Sequence, residues 1–258
     1  MMFELQVLPV EILSIILNHK YLNGWGGILR LVCKRWNSIV KSQKIHLPNV
    51  YLTVTLYKHA TEIYVDKKWY ESDIIEDAAK VGSIEVIEWA KTKGLWIRPS
   101  VWACVYAATN GHLECLKYLH ENGCPWDERT FSTATLNGHL ECLKYLHENG
   151  CPWDESACNL AAENGHLECL KYLHESGCSW DKWTFSTATL NGHLECLKYL
   201  HENGCPWDEH ATKWAARHGH LECLKYLREN GCPWDKQECL RVANFRNNSG
   251  CYEYIENA

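Results

Sequence analysis

One spacing constrains this chain more than any other feature: Gly111, Gly138, Gly165, Gly192 and Gly219 recur every 27 residues. Trp126, Trp153, Trp180, Trp207 and Trp234 keep the same step, and each is followed by an aspartate. The segment Thr130–Glu155 recurs unchanged at Thr184–Glu209. Duplication explains such a period and chance does not. A unit this short is one supersecondary element that cannot bury an apolar face alone, so the chain must stack its units into a solenoid.

The unit that begins at Asp127 reads as two helices. Asp127 suits a helix N-cap, because its carboxylate can accept from the exposed backbone N–H groups of the first turn. A first helix then runs to about Leu136, and Asn137-Gly138 make a tight turn. A second helix covers roughly Leu140 to Glu148, with Leu140, Leu143 and Leu146 forming an apolar face. Asn149 and Gly150 end it, Gly150 taking the left-handed position, and Pro152 blocks continuation. Glu141, Lys144 and Glu148 can pair on a solvated face. Phe131, Ala134, Leu143, Leu146, Cys151 and Trp153 are the expected core, and the expected class is all-α.

A β-propeller is excluded although Gly-His and Trp-Asp pairs recur. A propeller blade needs about 40–45 residues for four strands, and the stretch from Gly138 to Gly150 reads as helix. The run from Ala161 to Leu173 (AAENGHLECLKYL) and that from Ala107 to Glu114 (AATNGHLE) resemble the ankyrin repeat. The resemblance covers about Glu71 to the C-terminus. The standard repeat has about 33 residues and a Thr-Pro-Leu-His signature, which is missing here, so the projecting hairpins are expected to be reduced or absent. This compact form is similar to arrays of large DNA viruses of protists. The resemblance implies that first helices line a concave face, and that His139, His166 and His193 sit at helix–helix turns and bond locally to backbone. The end units diverge. Ala78–Trp89 aligns upstream, displaced 29 residues from the next copy. Downstream, Cys239–Phe245 reads as a first helix and Gly250–Ile255 as a truncated second one.

Residues Leu8 to Val40 do not fit the repeat. Pro9 belongs in a first helical turn, and Ile12, Leu13, Ile16 and Leu17 give an apolar helical face. A helical cap on the solenoid is one reading. The other is that Leu8, Pro9, Glu11, Ile12 and Leu13, with Leu31, Val32, Cys33, Arg35 and Trp36 in the VCKRW core, resemble the F-box. Gly24, Trp25, Gly26 and Gly27 depart from the short polar turn usual between the two halves. That resemblance implies docking onto the Skp-type adaptor of a cullin–RING ubiquitin ligase, with apolar helical anchors in a partner's groove. Leu8, Pro9, Glu11, Ile12, Leu13, Leu31, Val32, Cys33 and Trp36 are its candidate contacts. The expected layout is an F-box-like module at 1–45, a packed, β-like connector at 46–71, and the array at 72–258.

Net charge is −6 and no basic block occurs, which disfavours nucleic acid as partner. Glu4, Glu11 and Pro9 break any secretory signal pattern, and no apolar run is long enough to span a membrane. The expected compartment is the cytoplasm, of a host if the chain is viral, or the nucleus, and the fifteen cysteines are expected to be free thiols there. No C-x-x-C pair exists, so no metal or other cofactor is expected. Every Cys and His candidate for catalysis recurs in each unit, so no catalytic residue is expected either.

Protein binding is therefore the expected work of the chain, as a substrate adaptor of a ubiquitin ligase or as a scaffold that sequesters a partner. A thiol- or metal-buffering protein is a third reading. Copied positions cannot encode a particular partner, so the informative positions are those that vary. Just after the Asp cap these are Arg129, Ser156, Trp183 and His210. Farther along are Thr133, Leu160, Thr187 and Trp214, and then Leu136, Glu163, Leu190 and Arg217. Trp and Arg are enriched in binding hot spots, so Arg129, Trp183, Trp214 and Arg217 are the candidate target contacts.

Overall fold

The computed structural model describes residues 71–92, 94 and 100–258. The F-box-like segment, with Leu8 to Trp36, and almost all of the connector lie outside these residues. Fourteen helices make up the described part, with no strand among them. They fall into seven pairs: α1 (Glu71–Lys80) and α2 (Ile84–Thr92), α3 (Val101–Thr109) and α4 (Leu113–Glu121), α5 (Glu128–Leu136) and α6 (Leu140–Glu148), α7 (Ser156–Glu163) and α8 (Leu167–Glu175). The series continues with α9 (Lys182–Leu190) and α10 (Leu194–Glu202), α11 (Glu209–His218) and α12 (Leu221–Glu229), α13 (Lys236–Phe245) and α14 (Ser249–Asn257). The helical solenoid expected from the period is present.

From α5 onward each first helix starts where an aspartate can hold its orphan N–H groups, while Ser100 does so for α3. Asp127 Oδ1 accepts from Arg129 N at 3.0 Å, Asp154 from Ser156 N at 2.9 Å, Asp181 from Trp183 N at 2.9 Å and Asp208 from His210 N at 3.0 Å. Thr130 and Thr184 complete capping boxes by bonding back to the cap backbone. Glycines end the second helices: Gly150 has φ +75° and Gly204 has φ +77°. A side chain in that region costs roughly 1–2 kcal/mol.

First helices pack on first helices from α1 through α13, and second helices on second helices from α4 through α14. Small buried residues, Ala134, Ala161, Ala188 and Ala215, let neighbouring first helices approach. Second helices bury Cys142, Leu143 and Leu146 in α6 and the same triplet in α8, α10 and α12. Each fully buried leucine contributes about 1.5–3 kcal/mol. One apolar-face expectation and one core expectation shift. Leu140 is half-buried and Cys142 takes its place on the buried stripe, because positions 142, 143 and 146 follow the 3.6-residue period. Trp153 is half-buried too: it follows Pro152 in the loop, and its ring covers the rim of Phe131 at 5.4 Å, nearly parallel.

The turn histidines act between units rather than locally. His139 Nε2 reaches the carbonyl of Thr109 at 3.0 Å, His166 that of Leu136 at 2.9 Å, His193 that of Glu163 at 2.9 Å and His220 that of Leu190 at 2.8 Å. A carbonyl only accepts, so Nε2 carries the proton. Each of these carbonyls ends the preceding first helix and lacks an intrahelical donor. At the C-terminal end Asn248 replaces the histidine and donates to Arg217 O at 2.7 Å. Its neighbour Asn247, at φ +56°, absorbs the inserted residue. Helix α14 is nine residues long like its sisters and is not truncated.

A second inter-unit ladder lies on the other layer. His120, His147, His174 and His201 each bond through Nδ1 to the tyrosine hydroxyl of the next second helix, at 2.8–3.1 Å.

The described cysteines are free and buried. Burial pushes the thiols of Cys142, Cys169, Cys196 and Cys223 up to about 11 and that of Cys115 up to about 12. Thiolate, the reactive species, is therefore scarce at neutral pH. Alkylation of these five residues at pH 7, followed by mass spectrometry, is expected to await unfolding. Rapid modification in the folded protein would contradict their packed placement.

Candidate protein-binding surface on the first helices

The exposed large apolar side chains of the described residues all belong to first helices. They are Trp102 at 42 %, Leu136 at 41 %, Trp183 at 61 % and Phe245 at 76 % exposure. Second helices instead show water a repeated set of ion pairs, such as Lys144–Glu141 at 2.9 Å and Lys171–Glu168 at 2.8 Å. Exposed pairs of this kind contribute only a few tenths of a kcal/mol. They recur unchanged in the five second helices from α4 to α12 and discriminate nothing among them.

The four candidate target contacts fare differently. Trp183 stands in the first turn of α9, its N–H held by Asp181 and its ring against no other ring or guanidinium among the described residues. Arg129 is engaged within the chain. Its guanidinium forks onto Asp127 through Nε at 2.9 Å and Nη2 at 2.6 Å, and lies 4.7 Å over the Trp102 ring. The guanidinium beside Asp127 helps hold that carboxyl below its ordinary range. Trp214 and Arg217 lie together on α11, half-buried, with the guanidinium 5.4 Å from the indole. Arg129 and Trp183 join neither Trp214 nor Arg217 by any ring or cation contact, so the four form no single cluster.

Two residues of this surface were not singled out from sequence. Trp102 occupies the same place in its unit as Arg129 and Trp183, 27 residues upstream of Arg129. Extending the period one unit upstream finds it. Phe245 has no such signal, because its sisters are Asn137, Asn164, Asn191 and His218. Among the described residues no group of three or more His, Cys, Asp or Glu side chains is placed to hold a metal ion. No helix there is long and apolar enough to cross a membrane.

Comparison with known proteins agrees with this architecture. The profile of the F-box domain matches residues 27–48. This match takes in Leu31, Val32, Cys33 and Trp36 but not Leu8, Pro9, Glu11, Ile12 or Leu13. Curated protein sequences yield no match. Among solved structures, the crystal structure of the human ASB11 ankyrin repeat domain aligns with a TM-score of 0.57 at 22 % identity, covering 66 % of this chain and 90 % of that one. At that identity the likeness speaks for the fold. The profile of the ankyrin repeats matches residues 104–184 and 160–238, just over half of the sequence. The chain belongs to the ankyrin-repeat family, with an F-box domain ahead of the array.

Proposed function

We propose that this chain is a substrate adaptor, whose F-box engages the Skp-type adaptor of a cullin–RING ubiquitin ligase while its first-helix surface holds a target protein. One observation carries the target half: the exposed apolar residues lie on first helices, three of them at positions that vary while the framework is copied. Trp183 weighs most, because Arg129, Ser156 and His210 hold its place in three sister units and its ring, 61 % exposed, meets no other ring or guanidinium among the described residues. The ligase would perform the transfer chemistry. The adaptor's contribution is positional, holding target lysines near the charged conjugating enzyme. A scaffold without a ligase link is the second reading. It draws on the F-box match beginning at residue 27, past the Leu8–Leu13 segment.

The test uses the full chain with two substitution sets. Leu8→Ala with Pro9→Ala is expected to abolish capture of the Skp-type adaptor at unchanged helical content. Trp183→Ala is expected to lose the target at unchanged melting temperature. Normal adaptor capture by the first variant would favour the scaffold. Lost stability in the second, with the target retained, would make Trp183 structural.

A further inference from the structure

The C-terminal end of the first-helix surface differs from the rest in charge. Arg217 lies in the last turn of α11 and Arg246 directly follows α13. Neither forms an ion pair with a carboxylate among the described residues. Instead Arg217 lies 5.4 Å from the Trp214 ring and Arg246 lies 5.8 Å from Phe245. The two arginines share one neighbourhood. Asn248, two residues beyond Arg246, bonds the Arg217 carbonyl, and both guanidinium charges bear on His218. His218 in turn stacks 6.3 Å from His220 and lies 5.9 Å from Trp214. Farther along the same two helices, Lys213 and Arg241 share the single carboxylate of Glu238, at 2.8 Å and 2.6 Å. That trio holds two cations against one anion, so it too is left positive.

The repeat does not require these charges. Leu136, Glu163 and Leu190 occupy the place of Arg217 in sister units, and Thr133, Leu160 and Thr187 that of Trp214. A cation in a last helical turn is favoured by the helix dipole, but the dipole explains neither the flat Trp214 beside it nor a phenylalanine 76 % exposed. In a chain of net charge −6, local positive charge beside exposed aromatic faces is a selective surface. Guanidinium forks match carboxylates two bonds at a time.

We infer that the surface formed by Trp214, Arg217, Phe245 and Arg246 docks an acidic segment of the target protein, its carboxylates on the two arginines and an apolar side chain against the rings. This inference rests on the first-helix surface being the target-binding one. It adds the chemistry of what that surface selects.

The experiment measures binding of fluorescent peptides to the full chain by anisotropy. The probe is a twelve-residue peptide of glutamates flanking a central phenylalanine. The controls replace glutamate by glutamine or by lysine, and a single-stranded oligonucleotide of equal charge is the fourth ligand. The acidic peptide is expected to bind, to weaken as salt rises, and to lose about tenfold or more in affinity with Arg217→Gln plus Arg246→Gln. Glu141→Gln, on the copied second-helix face, should leave that binding unchanged, and thermal unfolding of the double variant should match the parent chain. Equal binding of the glutamine peptide, no loss in the double variant, or preference for the oligonucleotide overturns the inference. Once a target is in hand, its loss with Trp183→Ala and retention with the arginine double variant would sink this inference alone. Retention with both would sink the first-helix reading as well.

Discussion

Gly111→Ala is expected to destabilise the protein by roughly 2–4 kcal/mol, and Gly123→Ala by only about 1–2 kcal/mol. Both glycines sit in the left-handed region, at φ +70° and +80°, so the backbone strain of a Cβ is nearly the same at each. Their surroundings differ. A Cβ on Gly123 meets nothing within 4 Å, whereas one on Gly111 falls 2.5 Å from Nδ1 and 2.7 Å from Cε1 of the His139 ring. That ring is fixed by its bond to the Thr109 carbonyl, so it can yield only by breaking the link between two units. The excess cost of the first variant over the second thus measures the inter-unit contact with backbone strain cancelled. Denaturant unfolding of both variants reads the difference. A further variant, Gly111→Ala with His139→Ala, is expected to remove the clash but not the strain, and so to be non-additive. Equal destabilisation by the two single changes would show that the histidine column contributes nothing.

The second large effect is expected in the core. Phe131 is fully buried and stacks with Trp153, so Phe131→Ala should cost about 3–5 kcal/mol through lost transfer energy and the cavity left behind. Phe131→Cys should cost less. Cys104 and Cys158 hold the same place in sister units, and there the following tryptophan stacks on a histidine, as Trp207 also does on His201 at 4.1 Å although Phe185 is present. His120 meets Trp126 at 3.6 Å and His174 meets Trp180 at 3.7 Å, both stacked. In the present unit His147 meets Trp153 only edge-on at 5.4 Å. With the phenylalanine ring gone, Trp153 has a second seat ready on His147. Calorimetric melting of the two variants ranks them. A cysteine variant as unstable as the alanine one would mean that the thiol fills none of the cavity that it fills at Cys104 and Cys158.

Much of the array could be read from sequence because its signals are local and repeated. Asp127, the Asn137-Gly138 turn and Pro152 mark helix limits by backbone chemistry alone, and α5 and α6 fall where those residues put them. What escaped the reading is what depends on neighbouring units. The family's turn histidine looked like a local turn residue, since nothing within one unit shows that the carbonyl 30 residues upstream is its partner. Trp153 looked like core because tryptophan is large, yet a loop position after proline leaves it only the rim. The surface was half legible. Variation at copied positions picked out Trp183, but it could not show that Arg129 is already held by Asp127, or that Arg217 lies beside Arg246 from the next pair.

The unchanged recurrence of Thr130–Glu155 at Thr184–Glu209 has a consequence for the gene. Because a unit recognises its neighbours through copied residues, a strand exchange between the two copies would drop or add a whole two-unit block without creating a foreign junction. His220 after a loss, and the added copy of His166 after a gain, would still find a glycine and a helix-ending carbonyl one step upstream. Array length can therefore drift between generations while every seam still fits. A loss would also remove Trp183 with its block and a gain would add a second copy of it two units away, so one step resets how many such grips stand ahead of the arginine end.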